Sequence, residues 1–273
     1  MNEANVKARK DGEYLSTLAR GLSVLRSFTK ERPEMTLSEV GAATDLSPAV
    51  ARRCLHTLVK LGYVGKKGKL FLLTPEVMGF ASAFLESMNL EEVVRPYLQE
   101  VRDKMGDSTS LAVLSNFDIL YLVHVSTNRM VRLVAGVGTR FPVYPTSLGR
   151  VLLAHQLDQR IADYLKRVEF HKLTTMTVTS KPALRKILIR CRKDGFASIQ
   201  DELDYGIVSV AVPVFGANGV ILAAINCSTA TTRVNKDEMV KSRLPWLRDA
   251  AKSIEFELRR YPILVHSIRS VAS

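Results

Sequence analysis

The 273-residue chain carries 39 Lys and Arg against 27 Asp and Glu, a formal net charge of +12, and 47% of its residues are hydrophobic. This length exceeds one ordinary domain of ~100–150 residues, and the apolar content excludes a disordered chain. The basic excess points to an anionic partner.

Leu15, Leu18, Leu22, Leu25 and Phe28 recur at helical spacing and predict a first helix that supports a two-helix motif beyond it. After Pro33, Thr36 and Glu39 form the starting box of a short helix over Leu37 to Thr44. Asp45-Leu46-Ser47 makes a turn. A second helix opens with Ser47 as N-cap and Pro48 at the first helical position, where its missing N–H costs nothing. Val50, Cys54, Leu58 and Leu61 fall on one face of it, to be packed on the rest of the domain. Ala49, Arg52, Arg53, His56 and Lys60 fall largely on other faces, and Gly62 ends the helix. Two apolar runs, Tyr63-Val64 and Leu70 to Leu73, flank Gly65-Lys66-Lys67-Gly68-Lys69 and read as a hairpin with a cationic tip.

Turn, helix and hairpin together describe a winged helix-turn-helix, with double-stranded DNA as partner. Thr36, Ser47, Pro48, Ala49, Arg52, Arg53, His56, Lys66, Lys67 and Lys69 are its candidate DNA-binding residues. From Ser47 to Pro75 there are six Lys or Arg and no Asp or Glu, which suits phosphate. A basic hairpin by itself would equally be a solvated surface; its company with the capped two-helix motif favours DNA.

Pro75 starts a further helical run through Val77, Phe80, Ala81, Phe84 and Met88, wide enough in its apolar face for a dimer contact, though ordinary core reads the same way. Asn89 and Glu92 fit a second starting box, and Pro96 implies a kink or a fresh helix start. After Gly106 the pattern turns to strands: Ser110 to Leu114 and Ile119 to Ser126 about a turn at Asn116-Phe117-Asp118, then Met130 to Ala135. Helices are expected from Thr146 or Ser147 to His155, over Ile161 to Arg167 and over Pro182 to Lys193. Strands return over Phe196 to Gln200, Ile207 to Phe215 and Val220 to Cys227, the last two joined by a turn ending in Asn218-Gly219. A final helical region runs from Asn235 to Arg260, interrupted at Pro245. The class is α+β, with a DNA-binding domain over 1–75, a linker or dimerisation helix over 76–94 and a second domain over 95–273.

Chemistry is sparse. Gly136 and Gly138 form a lone GxG, and there is no phosphate loop, GxSxG or HExxH. Asp201, Glu202 and Asp204 read as a solvated turn in preference to a metal site. Cys54, Cys191 and Cys227 are far apart and read as reduced core residues. No enzyme activity, cofactor or metal is expected. Met1 to Glu13 lack the apolar core of a secretory signal, and Ile207 to Cys227 is broken by Pro213 and three turn residues, so a cytoplasmic chain with no membrane partner is expected. Between Arg140 and Arg150, a loop with two prolines delivers Thr146, Ser147, Leu148 and Gly149 to a helix start, whose free N–H groups can hold a carboxylate; Gly149 would let a ligand approach. A plain capped helix would use the same residues. Ser209, Asn226 and Ser228 could add polar contacts to an apolar cavity, or be satisfied within the sheet.

Four segments make the chain resemble the IclR family of bacterial transcriptional regulators: Thr17 to Leu25, Leu37 to Val64, Phe141 to Ala154 and Gly195 to Ser228. The resemblance implies a winged helix-turn-helix, a dimerising linker helix and a GAF-like C-terminal domain that binds a small organic acid. It places the effector pocket on Ser147, Leu148, Gly149, Ser209 and Asn226. Tyr144 stands where many members have histidine, and with the tail Leu244-Pro-Trp-Leu-Arg-Asp-Ala-Ala it resembles the branch regulating protocatechuate and 4-hydroxybenzoate breakdown, which contains activators. Gln200-Asp201-Glu202 and Ile207-Val208-Ser209 depart from that branch, the second by losing an arginine at Val208. The expectation is a dimeric or tetrameric regulator of aromatic-compound catabolic genes, controlled by an aromatic or dicarboxylic acid. The rivals are a ligand-independent DNA-binding protein and an enzyme of small carboxylates.

Overall fold

In the computed structural model, residues 13–127 and 135–272 are described, and the chain divides into two compact units, Met1–Phe84 and Leu85–Ser273. The expected strand over Met130 to Ala135 falls almost wholly outside the described residues.

In the first unit, α1 (Ser16–Ser27) precedes β1 (Glu34–Thr36), α2 (Leu37–Thr44) and α3 (Pro48–Lys60), followed by β2 (Val64–Lys67) and β3 (Leu70–Leu73). The starting box of α2 forms in full: the Glu39 amide donates to Thr36 Oγ1, and the Thr36 amide donates to Glu39 Oε2 at 2.7 Å. Asp45 ends α2 in the left-handed region at φ 54. Gly62, at φ 85, closes α3, its amide bonding Val59 O while the Tyr63 amide bonds Leu58 O. The hairpin is tighter than expected. Lys66 and Lys67 belong to β2, the turn is Gly68-Lys69, and Gly68 supplies the positive φ of a two-residue turn. Strand β1, not foreseen because it holds only three residues, pairs with β3 and completes a sheet of order β1-β3-β2.

The core of this unit is Val24, Phe28, Met35, Val40, Ala51, Cys54, Leu55, Leu58 and Val64. The buried stripe of α3 is therefore Ala51, Cys54, Leu55 and Leu58, rotated from the expected one: Val50 is half-buried and Leu61 is 60% exposed. Leu15, Leu18 and Leu22 of the first helical run are likewise exposed, and Val24 and Phe28 carry the packing.

A 3₁₀ turn at Pro75–Val77 leads into α4 (Met78–Met88), within which the division between units falls. In the second unit, α5 (Leu90–Met105) starts after Asn89, which is in the left-handed region without a side-chain cap, so the second starting box does not form. Pro96 lies inside the continuous helix. Then come β4 (Ser108–Ser115), β5 (Asp118–Val125), β6 (Arg140–Pro142), α6 (Ser147–Ala154), α7 (Asp158–Arg167), α8 (Lys181–Asp194), β7 (Ala197–Gln200), β8 (Ile207–Phe215), β9 (Ile221–Ala230), α9 (Lys236–Leu258) and α10 (Pro262–Ala272). The sheet order is β6-β5-β4-β9-β8-β7 with every pairing antiparallel. Helix α9 is not interrupted at Pro245. Met239, Leu244, Leu247, Ala251, Ile254 and Leu258 bury one side of it, which outweighs the single backbone bond the proline removes. No helix among the described residues is long and apolar enough to cross a membrane.

Asp107, fully buried at the entry to β4, accepts from Arg243 Nε at 2.9 Å and pairs with Arg233, tying the start of the sheet to α9. Removing one member of such a cluster strands charge in the interior. Asp107→Ala is expected to lower the unfolding free energy by about 3–5 kcal/mol, measured by urea denaturation.

Candidate functional sites

On α3 the side opposite the core stripe shows Ala49, Arg52, Arg53 and His56, at spacings 0, 3, 4 and 7, all exposed. Pro48 and Ser47 are exposed at the helix start, and the Ser47 hydroxyl makes no cap bond, leaving it available. The Thr36 hydroxyl is not available in that way, because it donates to Glu39 Oε2 at 2.8 Å within the starting box. Arg53 sits to one side of the cationic face, on the rim of an apolar groove that includes Leu18, Leu22, Val50 and Leu61. Lys67 and Lys69 are exposed at the hairpin tip, and the Lys66 ammonium lies 5.9 Å from the Phe71 ring centre. No ion pair neutralises these cations among the described residues, so the surface keeps a single sign.

In the second unit Thr146 caps α6, its Oγ1 accepting from the Gly149 amide at 3.1 Å. The amides of Ser147 and Leu148 keep the free status of a first helical turn. Gly149 has a different role from the expected one. A Cβ there would lie 2.2 Å from Val143 O and 2.6 Å from Val143 Cα, so the glycine permits the loop backbone, not a ligand, to approach. Leu148 points into the core at 1% exposure. Tyr144 is a buried strut: its hydroxyl donates to His171 O at 2.7 Å and accepts from the His171 amide at 2.9 Å, and its ring meets Phe170 edge-on.

Ser147 and Ser209, 62 residues apart, meet at 2.8 Å between their hydroxyls. Directly opposed residues of a sheet share a face, and the register sets out three adjacent rows below α6. The first is Ser209, Ser228 and Ser108; the second is Ala211, Asn226, Ser110 and His124; the third is Pro213, Ala224, Ala112 and Tyr121. Asn226 is buried and its Oδ1 has no partner among the described residues. Ser110 Oγ lies 3.0 Å from His124 Nδ1. Burial, with the charge of Arg95 adding, holds the His124 imidazole below the ordinary histidine range and therefore neutral near pH 7.

Family models match both units: the IclR helix-turn-helix domain over residues 17–68 and the C-terminal domain of bacterial transcriptional regulator IclR over residues 82–256. The chain belongs to the IclR family of bacterial transcriptional regulators. It is 34% identical over 249 residues to the Pca regulon regulatory protein of Pseudomonas putida, covering 91% of this chain and 86% of that one. The p-hydroxybenzoate hydroxylase transcriptional activator of Acinetobacter baylyi is 30% identical, with 89% and 91% covered. A crystal structure of an IclR homologue from Microbacterium hydrocarbonoxydans in complex with 4-hydroxybenzoate superposes with a TM-score of 0.74 at 26% identity, covering 89% of this chain and 99% of that one. The partner that an IclR helix-turn-helix recognises is DNA, which accords with the unopposed cations of α3 and the hairpin.

Sequence reasoning missed the residues that build this second site. Arg150, 3% exposed, forms a two-pronged pair with Glu202, at 2.8 Å from its Nη1 and 2.5 Å from its Nη2, and donates from Nε to Tyr144 O. Glu202 is thus no solvated turn residue. Thr174 and Thr177 donate to the carbonyls of Asp201 and Glu202. Asp201, at φ 57, accepts from the Gly206 amide, closing the turn before β8. The signal that existed was Arg150 directly after the helix start. Its partner 52 residues away had no local mark. Ser110 and His124 escaped because they alternate with apolar neighbours as any half-polar strand does.

Gly149→Ala is expected to lower stability by about 1–3 kcal/mol, since the new Cβ meets backbone that cannot rotate away. Thermal unfolding monitored by circular dichroism checks this; an unchanged midpoint would mean that the Val143 loop yields freely.

Proposed function

We propose that this IclR-family regulator grips operator DNA through α3 and the hairpin of two copies, and that a small carboxylate bound beneath α6 alters the grip. The observation that carries the second half is the meeting of Ser147 and Ser209 at the start of α6, on the sheet face that also carries Asn226, whose Oδ1 has no partner among the described residues. A carboxylate there would accept from the Ser147 and Leu148 amides and from the two hydroxyls, helped by the positive end of the helix dipole. Alanines 112, 211 and 224 leave room on the sheet for a flat body. An aromatic acid fits these features, and regulators of p-hydroxybenzoate and Pca functions among the relatives support the same class, with genes of aromatic catabolism as targets and activation favoured over repression.

On this reading residues 1–75 bind DNA, 76–94 link and dimerise, and 95–273 sense the acid in the cytoplasm. The DNA contacts are Arg52, Ala49 and His56 toward base edges, with Arg53, Ser47, Lys66, Lys67 and Lys69 toward phosphates. Thr36 orders α2 and Pro48 starts α3. Ser228 and Asn226 extend the polar wall of the pocket, while Tyr144, Leu148 and Gly149 shape it from outside.

Affinity for the chain's own upstream region and for random DNA, at fixed salt, with and without aromatic acids and dicarboxylates, tests the reading. One acid is expected to shift specific affinity by about 5–150-fold, the range of ordinary allosteric coupling. Arg52→Ala is expected to cost ~1–3 kcal/mol on the specific site and to reduce discrimination, and Lys67→Ala to weaken both DNAs alike with a shallower salt slope. Unchanged affinity of Arg52→Ala for both DNAs would sink the assignment of α3.

A further inference from the structure

We propose that α8, together with the end of α7, forms a second cationic face that grips the phosphates of duplex DNA, so that the second unit carries a DNA contact of its own in addition to the helix-turn-helix. The motive is where the charge lies. From Asp158 to Asp194 the chain has ten Lys or Arg against four Asp or Glu, an excess of six. The stretch from Ser47 to Pro75 has the same excess, and the two account for the whole net charge of +12. The remaining residues balance, so half of the chain's unopposed charge lies outside the helix-turn-helix and its hairpin.

In α8 this charge is gathered on one side. Leu184, Leu188 and Cys191 are buried, and Lys186, Arg190 and Lys193, at spacings 0, 4 and 7, stand opposite them and are exposed. Arg185 flanks that row and is also exposed. Among the described residues Arg190 pairs with Asp194 at 3.2 Å, whereas no ion pair holds Arg185, Lys186 or Lys193. Lys181 Nζ donates to Lys166 O at 3.1 Å, which brings the start of α8 beside the end of α7, where Lys166 and Arg167 add two more charges. From Lys181 to Lys193 the helix carries cations over ~18 Å. Each DNA strand presents one phosphate per ~3.4 Å of axis, so several fall within reach.

The arrangement works against the helix that carries it. Like charges at these spacings repel one another, and the first turn, whose free N–H groups favour an acid, has none and carries Lys181 instead. A polyanion laid along α8 relieves both. Other occupants fit less well. A second copy meeting this face with its own would oppose like charges. The centres of protein interfaces are depleted in Lys, whereas DNA-binding surfaces are polar and strongly positive.

Fluorescence anisotropy of the full chain on a random-sequence duplex of about 60 base pairs, between about 50 and 200 mM salt, tests the proposal. The double variant Lys186→Ala, Lys193→Ala is compared with wild type, and alanine at exposed helical positions keeps the fold. Its plot of log affinity against log salt is expected to be shallower by about 2 for each chain in contact, at about 0.9 per lost phosphate. Lys241→Ala with Lys252→Ala removes the same charge from exposed positions of α9 and is expected to keep the wild-type slope, as is Lys186→Arg with Lys193→Arg. Lys67→Ala, measured beside them, reports on the hairpin alone and is expected to lower the slope by about 1. A wild-type slope in the α8 alanine variant, with a lowered one in Lys67→Ala, overturns the proposal while the helix-turn-helix reading stands, and leaves α8 to solvent or to an acidic protein segment. Equal loss of slope in the α8 and α9 alanine variants makes net charge, and no contact, the cause, and also overturns it. Wild-type binding without salt dependence removes the phosphate contacts of both units together.

Discussion

The arrangement around the start of α6 depends on one buried ion pair. Arg150 leaves the first turn of α6 and closes on Glu202 just after β7, with both groups out of water. A pair so placed gains little over an apolar substitute of the same shape, but losing either member leaves an uncompensated charge inside. What it supplies is position. The guanidinium also holds the Tyr144 carbonyl, so three segments separated in the chain are fixed by one planar group: the loop before α6, α6 itself and the turn before β8. Ser147 can meet Ser209 only because that turn sets the entry of β8 and that loop sets the start of α6. The threonines at 174 and 177 brace the same turn by its carbonyls, and Gly149 lets the loop pass within contact of the helix. Rigid support of this kind makes a small difference in ligand structure register as a difference in binding free energy.

In the first unit the constraint is the division of α3 into two faces. Four small or aliphatic side chains, Ala51, Cys54, Leu55 and Leu58, are buried, and they bring the backbone near its neighbours while the opposite face carries Arg52 and His56 outward. The starting box of α2 and the left-handed Asp45 set the angle between the two helices by local means. Position is therefore obtained differently in the two units: by caps and turns between neighbours in the first, by a long-range charged clamp in the second.

Much of the architecture was legible in the residues. The limits of α2 follow from Thr36 and Glu39, those of α3 from Ser47, Pro48 and Gly62, and the span of β8 from an apolar run bounded by turn residues. Each is a contest decided within a few residues, by caps, φ angles and side-chain periodicity. Where such signals conflicted with packing they misled. Pro245 reads as a break and lies within a continuous helix, Asn89 reads as a cap and adopts a left-handed backbone, and of the first helical run Leu15, Leu18 and Leu22 are exposed while Phe28, with Val24 outside the run, is buried.

By itself the sequence determined the class, the two-helix motif, its unopposed positive charge and the polar positions along β8 and β9, since these depend on composition and local order. Only the tertiary structure decided the use of those positions. Glu202 lies near two acidic residues in the chain and beside Arg150 in space; Gly149 faces the Val143 backbone; Asn226 Oδ1 has no partner among the described residues, while Tyr144 spends its hydroxyl on residue 171. The physical reason is common to all of them. A hydrogen bond or close contact between residues of different elements, 52 positions apart for Arg150 and Glu202 and 27 for Tyr144 and His171, is set by strand register, loop path and helix placement, and none of these leaves a period or a cap in the residues that will use it.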